Sequence, residues 1–254
     1  MKQVICPFQG ELEIVAGEQA LLLDIIRTEN DVGNLNINIG DNARVDYVFV
    51  ADYEGAINSS GQREINVGSS SIFNSSRLYL KTGQAAWNFN HNFTKNSQID
   101  ERVLFYQNEK QSLKINDRCL LSGPGNKAKL CVDGILEDEA KSEYLSELII
   151  APQAQDSDTR IDMQLYIFGD QARGTMLPAL KIAAHEVKAG HGAGTFKLSS
   201  EDLFYLRSRG LSEQKINHLV LEGLLNSFLK RLKSQDLKEE ILKRAAKYLS
   251  LAEV

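Results

Sequence analysis

The sequence predicts a mainly β fold, a solenoid of short strands, followed by a small C-terminal α-helical unit. Three observations predict it. Up to residue 198 apolar residues recur with a period of two, which gives a strand one inward and one outward face. The runs are short and joined by Gly or Asn turns with no intervening helices, as in sandwiches, barrels and solenoids. A turn of the form G-x-x-A recurs at Gly17–Ala20, Gly40–Ala43, Gly83–Ala86 and Gly169–Ala172, with weaker versions at Gly68–Ser71 and Glu137–Ala140. The spacing of the first two copies, Gly17 to Gly40, falls within the range of solenoid coils, although later intervals are irregular.

In order along the chain, Leu35-Asn-Ile37-Asn-Ile39, Val45-Asp-Tyr47-Val-Phe49, Ile65-Asn-Val67 and Leu78-Tyr-Leu80 alternate as strands. Glycine in the turns supplies the positive φ a tight reversal needs, and the small Ala restarts a strand. Asn recurs at Asn34, Asn36 and Asn38 and at Asn88, Asn90 and Asn92. It is poor in ordinary strands; stacked coils would let it form amide ladders, and a solvated strand face is the alternative. Residues 135–148, ILEDEAKSEYLSEL, have a helical composition, but flanking turn signals and the surrounding β pattern make them strand.

From Ser199 the apolar period becomes about 3.6. Ser199 or Ser200 can cap a helix with Glu201 and Asp202 in its first turn, and Gly210 supplies the stop. Ser212 caps a second helix with Ile216, Leu219, Val220, Leu224, Leu225, Phe228 and Leu232 on one face. A third, near Leu237 to Leu249, carries Leu237, Ile241, Leu242, Ala245, Tyr248 and Leu249. Three short helices cannot bury this apolar surface alone, so it is expected to pack on the β body. The division is a β core over 1–198 and a helical unit over 199–254.

The composition, 43% hydrophobic and 25% charged, is that of a globular protein, and the net charge of −5 argues against nucleic acid as a partner. The first residues contain no sustained apolar run or small-residue cleavage site, and no later run approaches a membrane span, so a cytoplasmic protein is expected. Cys6, Cys119 and Cys131 form no CxxC pair, and burial is the simplest role for Cys119 and Cys131. No P-loop motif occurs, so this chain is not expected to bind nucleotide itself, and the absence of G-x-S-x-G and H-E-x-x-H leaves two common hydrolase templates without support.

The junction between the two architectures carries the polar cluster His185, Glu186, Lys188 and His191, with Gly190, Gly192 and Gly194 around the last histidine. Glycines beside His191 leave its imidazole unshielded and allow a sharp turn, which suits a metal ligand or proton acceptor; an exposed turn histidine is the simpler reading. Glu186 and Lys188, two apart, can form a solvated pair. His185 and His91 carry no assignment.

Two linked stretches supply a resemblance. Pro178-Ala-Leu-Lys-Ile182 through Glu186-Val-Lys-Ala-Gly-His191-Gly-Ala193, and Leu203-Phe-Tyr-Leu-Arg-Ser-Arg-Gly210 after it, resemble the SufB/SufD family of iron-sulfur cluster assembly proteins. Phe168-Gly-Asp-Gln-Ala172 and Leu121-Ser-Gly-Pro-Gly125 fit less closely. The resemblance implies a right-handed parallel β-helix with a helical C-terminal unit. It implies a non-catalytic, SufD-like subunit that pairs with a second SufB/SufD-like β-helix, identical or related, and docks a SufC-like ABC-type ATPase through its helices. A transient iron-sulfur cluster would form at the subunit interface. On this resemblance His191 is the candidate cluster ligand, Glu186 and Lys188 are cluster-site residues, and Phe204, Tyr205, Leu206, Arg207, Ser208, Arg209 and Gly210 begin the ATPase dock. The cysteine often found two residues before the histidine is Ala189 here, and the usual N-terminal helical region is missing, so a compact member is expected. The alternatives are a β-helix enzyme acting on polysaccharide, disfavoured by a single Trp, and a purely structural self-associating solenoid.

Overall fold

The structure is a computed structural model and describes residues 2–28, 31–53, 58–198 and 200–249. The cap expected at Ser199 lies outside the described residues, as does the side chain of Leu249. The chain lays down β1 (Lys2–Ile5), β2 (Gly10–Ile14), β3 (Gln19–Ile26), β4 (Asn34–Ile39), β5 (Arg44–Asp52), β6 (Asn58–Val67), β7 (Ile72–Lys81) and β8 (Gln84–Phe93). It continues with β9 (Gln98–Gln107), β10 (Ser112–Leu121), β11 (Lys127–Glu137), β12 (Lys141–Ile150), β13 (Ser157–Phe168), β14 (Arg173–Ile182) and β15 (Val187–Lys197). Three helices follow: α1 (Ser200–Ser208), α2 (Glu213–Leu229) and α3 (Gln235–Leu249).

Successive strands alternate between two parallel sheets. The odd strands form an eight-stranded sheet in the order β1-β3-β5-β7-β9-β11-β13-β15, and the even strands a seven-stranded sheet ending in β14. The result is a parallel β-solenoid of about six turns with three short C-terminal helices, as the alternation and turn repeats predict. Residues 135–148 are indeed strand, divided between β11 and β12 by a turn at Asp138 (φ 54°).

Register explains the irregular turn spacing. Ala20, Val45, Phe73, Ile99, Ala128, Thr159 and Ala189 stack in one column, so the coil from Ala128 to Thr159 is several residues longer than the coil from Ala20 to Val45. Gly17 and Gly40 precede strands of the eight-stranded sheet, whereas Gly83 and Gly169 precede strands of the other sheet. The G-x-x-A copies thus mark two different corners. Gly17, Gly83 and Gly169 have positive φ, but at the second copy the left-handed residue is Asn42 (φ 59°), which corrects the expectation for Gly40. Gly40 is required for another reason: a Cβ there would lie 2.6 Å from the Ala16 nitrogen.

The lumen between the sheets is filled by the inward half of each strand, including Tyr47, Phe49, Phe73, Trp87, Phe89 and Phe105. Two strand glycines make this possible, since a Cβ at Gly61 would overlap the Trp87 ring and one at Gly134 the Phe105 ring. On the outer face of the seven-stranded sheet the Asn ladder forms. Asn66 donates to Asn38 and Asn92 to Asn66, both at 2.9 Å, and Asn116 donates to Asn88 at 2.9 Å.

The helical apolar face packs on the β body. Leu225, Phe228, Leu229, Leu232, Leu237 and Ile241 cover Leu21, Leu23, Val48, Val50, Leu78, Leu80 and Leu104 on the outer face of the eight-stranded sheet. That cover is why β3 and β5 are buried on both faces. Polar clasps surround it: Lys233 to Asp46 at 2.6 Å, Arg244 to Asp52 at 3.3 Å and Arg27 to Glu240 at 3.1 Å. Ser212 caps α2, its hydroxyl accepting from the Lys215 N–H, and Gly210 (φ 82°) follows α1. Leu219 and Leu242 depart from the expected buried face and remain exposed.

These packing relations set expected stabilities, measurable by urea unfolding. Phe228→Ala should cost about 3–5 kcal/mol through lost burial and a cavity, and Gly134→Ala about 1–3 kcal/mol through overpacking. Leu219→Ala should change stability by less than about 0.5 kcal/mol.

Candidate functional site

The last coil is where the motif residues of the junction reside. β15 is the terminal strand of its sheet and β14 of the other, and among the described residues no strand pairs with their free edges. The inner column that is buried in β13 as Thr159, Ile161, Met163 and Leu165 continues in β15 as Ala189, His191, Ala193 and Thr195, all exposed. Across the lumen, Met176, Pro178 and Leu180 of β14 continue the column of Tyr144, Ser146 and Leu148 and are only half-buried. The solenoid therefore ends in an uncovered, largely apolar row with one imidazole in it.

The residues around His191 differ in placement from the sharp turn expected. Gly190, Gly192 and Gly194 lie within β15 and have no positive φ, so this segment is extended strand. Their lack of side chains leaves their face of the strand open. They face outward beside Arg160, Asp162 and Gln164, and a Cβ at Gly194 would come within 2.5 Å of the Gln164 Oε1. Lys188 is also on the outward face, opposite to His191 by strand alternation. Glu186 lies in the bend before β15, its N–H donating to the Gln155 Oε1 at 2.8 Å. His185 is held in the same bend by a 3.2 Å bond from its N–H to that oxygen. The strand thus presents His191 and Lys188 to different surroundings.

On the outer face the glycines open a groove of ≈ 330 Å³ lined by Arg102, Cys131, Asp133, Asp162, Gly192 and Gly194. Arg102 pairs with Asp133 at 2.6 Å and Arg160 with Asp162 at 2.7 Å. Cys131 is half-buried in this groove, on the outward face, and is not the core residue its apolar context suggested. Burial pushes its thiol pKa up, with Arg102 and Lys129 opposing, and burial raises those of Cys6 and Cys119 as well. All three cysteines are therefore thiols at neutral pH.

Beyond the last coil, Phe204 and Tyr205 on α1 are 76% and 58% exposed, too open for residues that hold a helix in place. Arg209 sits over the Tyr205 ring at 5.4 Å, Arg207 pairs with Glu213 at 3.1 Å, and the Ser208 hydroxyl donates to the Tyr205 carbonyl. Leu206 is half-buried.

A second polar constellation, which motif reading missed, lies inside the lumen. Arg63 makes a paired contact with Asp24, at 2.5 and 3.1 Å, and Tyr47 donates to the same carboxylate at 2.6 Å. Farther along, Arg77 contacts both Asp117 and Glu101, Tyr144 donates to Asp117 at 2.8 Å, and His91 stands beside both acids. Burial pushes the Glu101 carboxyl above its usual range, Arg77 opposing and Asp117 adding to the rise. Burial works the same way on Asp117, but Arg77 together with His91 outweighs it and holds that carboxyl well below the usual range. Strand phase was the available signal: His91 is in step with Trp87 and Phe89, Glu101 with Ile99 and Val103, and Arg77 with Phe73 and Tyr79.

A family model described as "SUF system FeS cluster assembly, SufBD core domain" matches residues 4–224. The chain belongs to the SufBD core family. The match takes in the last coil, α1 and most of α2. A SufBD family protein of Mycobacterium tuberculosis is 23% identical over 234 residues, covering 89% of this chain and 59% of the relative. A SufBD family protein of Pyrococcus horikoshii is 22% identical over 228 residues, covering 89% and 50%. The SufD of Escherichia coli is 27% identical over 115 residues, covering 45% and 27%. The chain thus spans between half and about three fifths of the length of the two SufBD family relatives.

The lumen network is expected to be structural in the first instance. Arg77→Met should destabilise the fold by about 3–5 kcal/mol in urea unfolding, because two buried carboxylates lose their cation. Arg160→Met, on the open outer face, should leave unfolding unchanged.

Proposed function

We propose that this chain is a non-catalytic scaffold subunit in iron-sulfur cluster assembly. The observation that carries the reading is the uncovered last coil. The solenoid of this SufBD core chain closes on an exposed inner row that contains His191, and among the described residues no strand pairs with the edges of β14 and β15 there. Solenoids need a cap or a partner where their stacking stops, because the terminal coil has no neighbour to bury its inner face. A second SufB/SufD-like β-helix meeting this end would cover Met176, Leu180 and His191 together. The cluster is the cargo of that interface, and His191 supplies an imidazole to it. Lys188 and Glu186, on the strand and in its bend, sit at the rim and act on charge there.

The exposed aromatic pair Phe204 and Tyr205 supports an ATPase dock on α1. Aromatic and Arg side chains dominate protein interfaces, and here Phe204, Tyr205, Arg207 and Arg209 are gathered at one short helix. Docking at α1 would set the ATPase directly beside β15, so its nucleotide-driven motion would reach the last coil. The helical unit from 199 to 254 and the β core from 1 to 198 would then divide partner binding and cluster holding between them.

Two measurements test the reading. His191→Ala should lower the cluster formed by the reconstituted complex by about tenfold or more, while urea unfolding moves by less than about 0.5 kcal/mol; unchanged cluster formation removes the ligand role. Replacing Phe204 and Tyr205 by Ala should weaken binding of a SufC-like ATPase by about 30-fold, the loss of one hot spot of about 2 kcal/mol. Undiminished co-purification would place the dock elsewhere.

A further inference from the structure

The two charged constellations in the lumen differ in one respect that matters. Asp24 and Arg63 are one acid and one base, and their contacts are complete: Arg63 also donates to the Gly33 carbonyl at 2.6 Å. The second constellation has two acids, Glu101 and Asp117, against a single guanidinium, and all of them are 0–2% exposed. With both acids ionised, one negative charge would be left over in a closed, aromatic interior, where an uncompensated charge is costly.

The leftover charge has a direction. Arg77 and Tyr144 bind only one oxygen of each acid, Glu101 Oε1 and Asp117 Oδ2. The other two, Glu101 Oε2 and Asp117 Oδ1, accept no hydrogen bond, and neither ring nitrogen of His91 has a partner. His91 Nε2 lies 3.3 Å from Asp117 Oδ1 and 3.6 Å from Glu101 Oε2, and neither contact has hydrogen-bond geometry. Three unpartnered, fully buried atoms from β8, β9 and β10 thus converge from both sheets within 4.8 Å of one another. Buried polar atoms without partners call for a water or an ion.

The spacings of 3.3 and 3.6 Å suit ligands around an ion better than a direct hydrogen bond. An ion with bonds of about 2.0–2.1 Å and tetrahedral angles holds its ligand atoms about 3.3 Å apart. Hydrogen bonds from a protonated imidazole would be shorter, about 2.8 Å. We propose that His91 Nε2, Glu101 Oε2 and Asp117 Oδ1 bind a divalent first-row transition-metal ion of the Zn²⁺ kind inside the lumen. One imidazole and two carboxylates, without a thiolate, match such an ion. Arg77 and Tyr144 grip the far oxygens and aim the near ones, the supporting arrangement around metal-bound carboxylates. Phe89, stacked 6.2 Å from the His91 ring, and Phe73, 5.9 Å away, form the apolar collar. The ion joins three consecutive strands from two sheets, so it would tie the middle coils together. It is distinct from the last coil, and its presence does not depend on cluster assembly.

The test is made on the full chain. Because the lumen is closed, the protein is unfolded in denaturant with chelator, refolded with or without Zn²⁺, passed through gel filtration and assayed for metal by mass spectrometry. One Zn²⁺ per chain and a raised Tm are expected, with binding at least about tenfold weaker in His91→Ala and in Asp117→Asn and unchanged in His191→Ala and Cys131→Ser. A wild-type chain that refolds without metal, or lumen variants that keep it, overturns the proposal. Should both lumen variants fail to fold, X-ray absorption on the wild type decides. One nitrogen with oxygens at about 2.0–2.1 Å supports the site, and sulfur ligation or several imidazoles overturns it.

Discussion

Two parallel ladders, in register but for a shift between Ala51 and Asp52, leave each side chain two destinations, the lumen or the outer surface, and stack residues of equal phase into columns. Packing, charge and exposure in this molecule follow from that restriction. A column that admits Trp87 must find space for it in the neighbouring coil, and Gly61 provides that space; Gly134 does the same for Phe105. A column that admits an arginine must place an acid within reach on an adjacent coil, and Arg63 has one while Arg77 has two. The outer surface obeys the same stacking, so that Asn38, Asn66 and Asn92 become a ladder of amides and not three isolated polar residues.

Strand phase made much of this legible before any coordinates. The alternation at Leu35–Ile39 and Val45–Phe49, the repeated corners and the change of period after residue 198 follow from periodicities of two and 3.6 that depend only on local geometry. The stretch 135–148 was readable because turn chemistry outweighs composition: Lys, Glu and Leu form strands when neighbouring coils supply their hydrogen bonds. The glycines around His191 suggest a turn because glycine serves two physical needs, positive φ and the absence of a side chain, and only the second applies in β15.

The lumen charges were less accessible. His91 lies in a run of Asn and aromatic residues, and nothing in β8 alone tells that Glu101 and Asp117, on the next two strands, come to the same point. That meeting depends on the coil length, which differs from coil to coil and cannot be counted until the corners are known. The same holds for Cys131. Its place in an apolar strand suggested the core, but its phase puts it beside Arg102 on the outside, in the groove that the glycines of β15 leave open.

The helices begin where the solenoid stops and then return to where it started. α1 continues directly from the last coil, whereas α2 and α3 are fastened across β3, β5, β7 and β9 by an apolar seam and by the clasps at Asp46, Asp52 and Arg27. Mechanically the chain is a bow with its string attached. A load on α1 divides between two anchors: the covalent link to β15 at one end, and the seam over the early coils at the other. The seam shares its load over many buried side chains, whereas β15 is held by its pairing with β13 and by Phe196 against Tyr166 and Phe168, which makes it the more lightly anchored of the two ends.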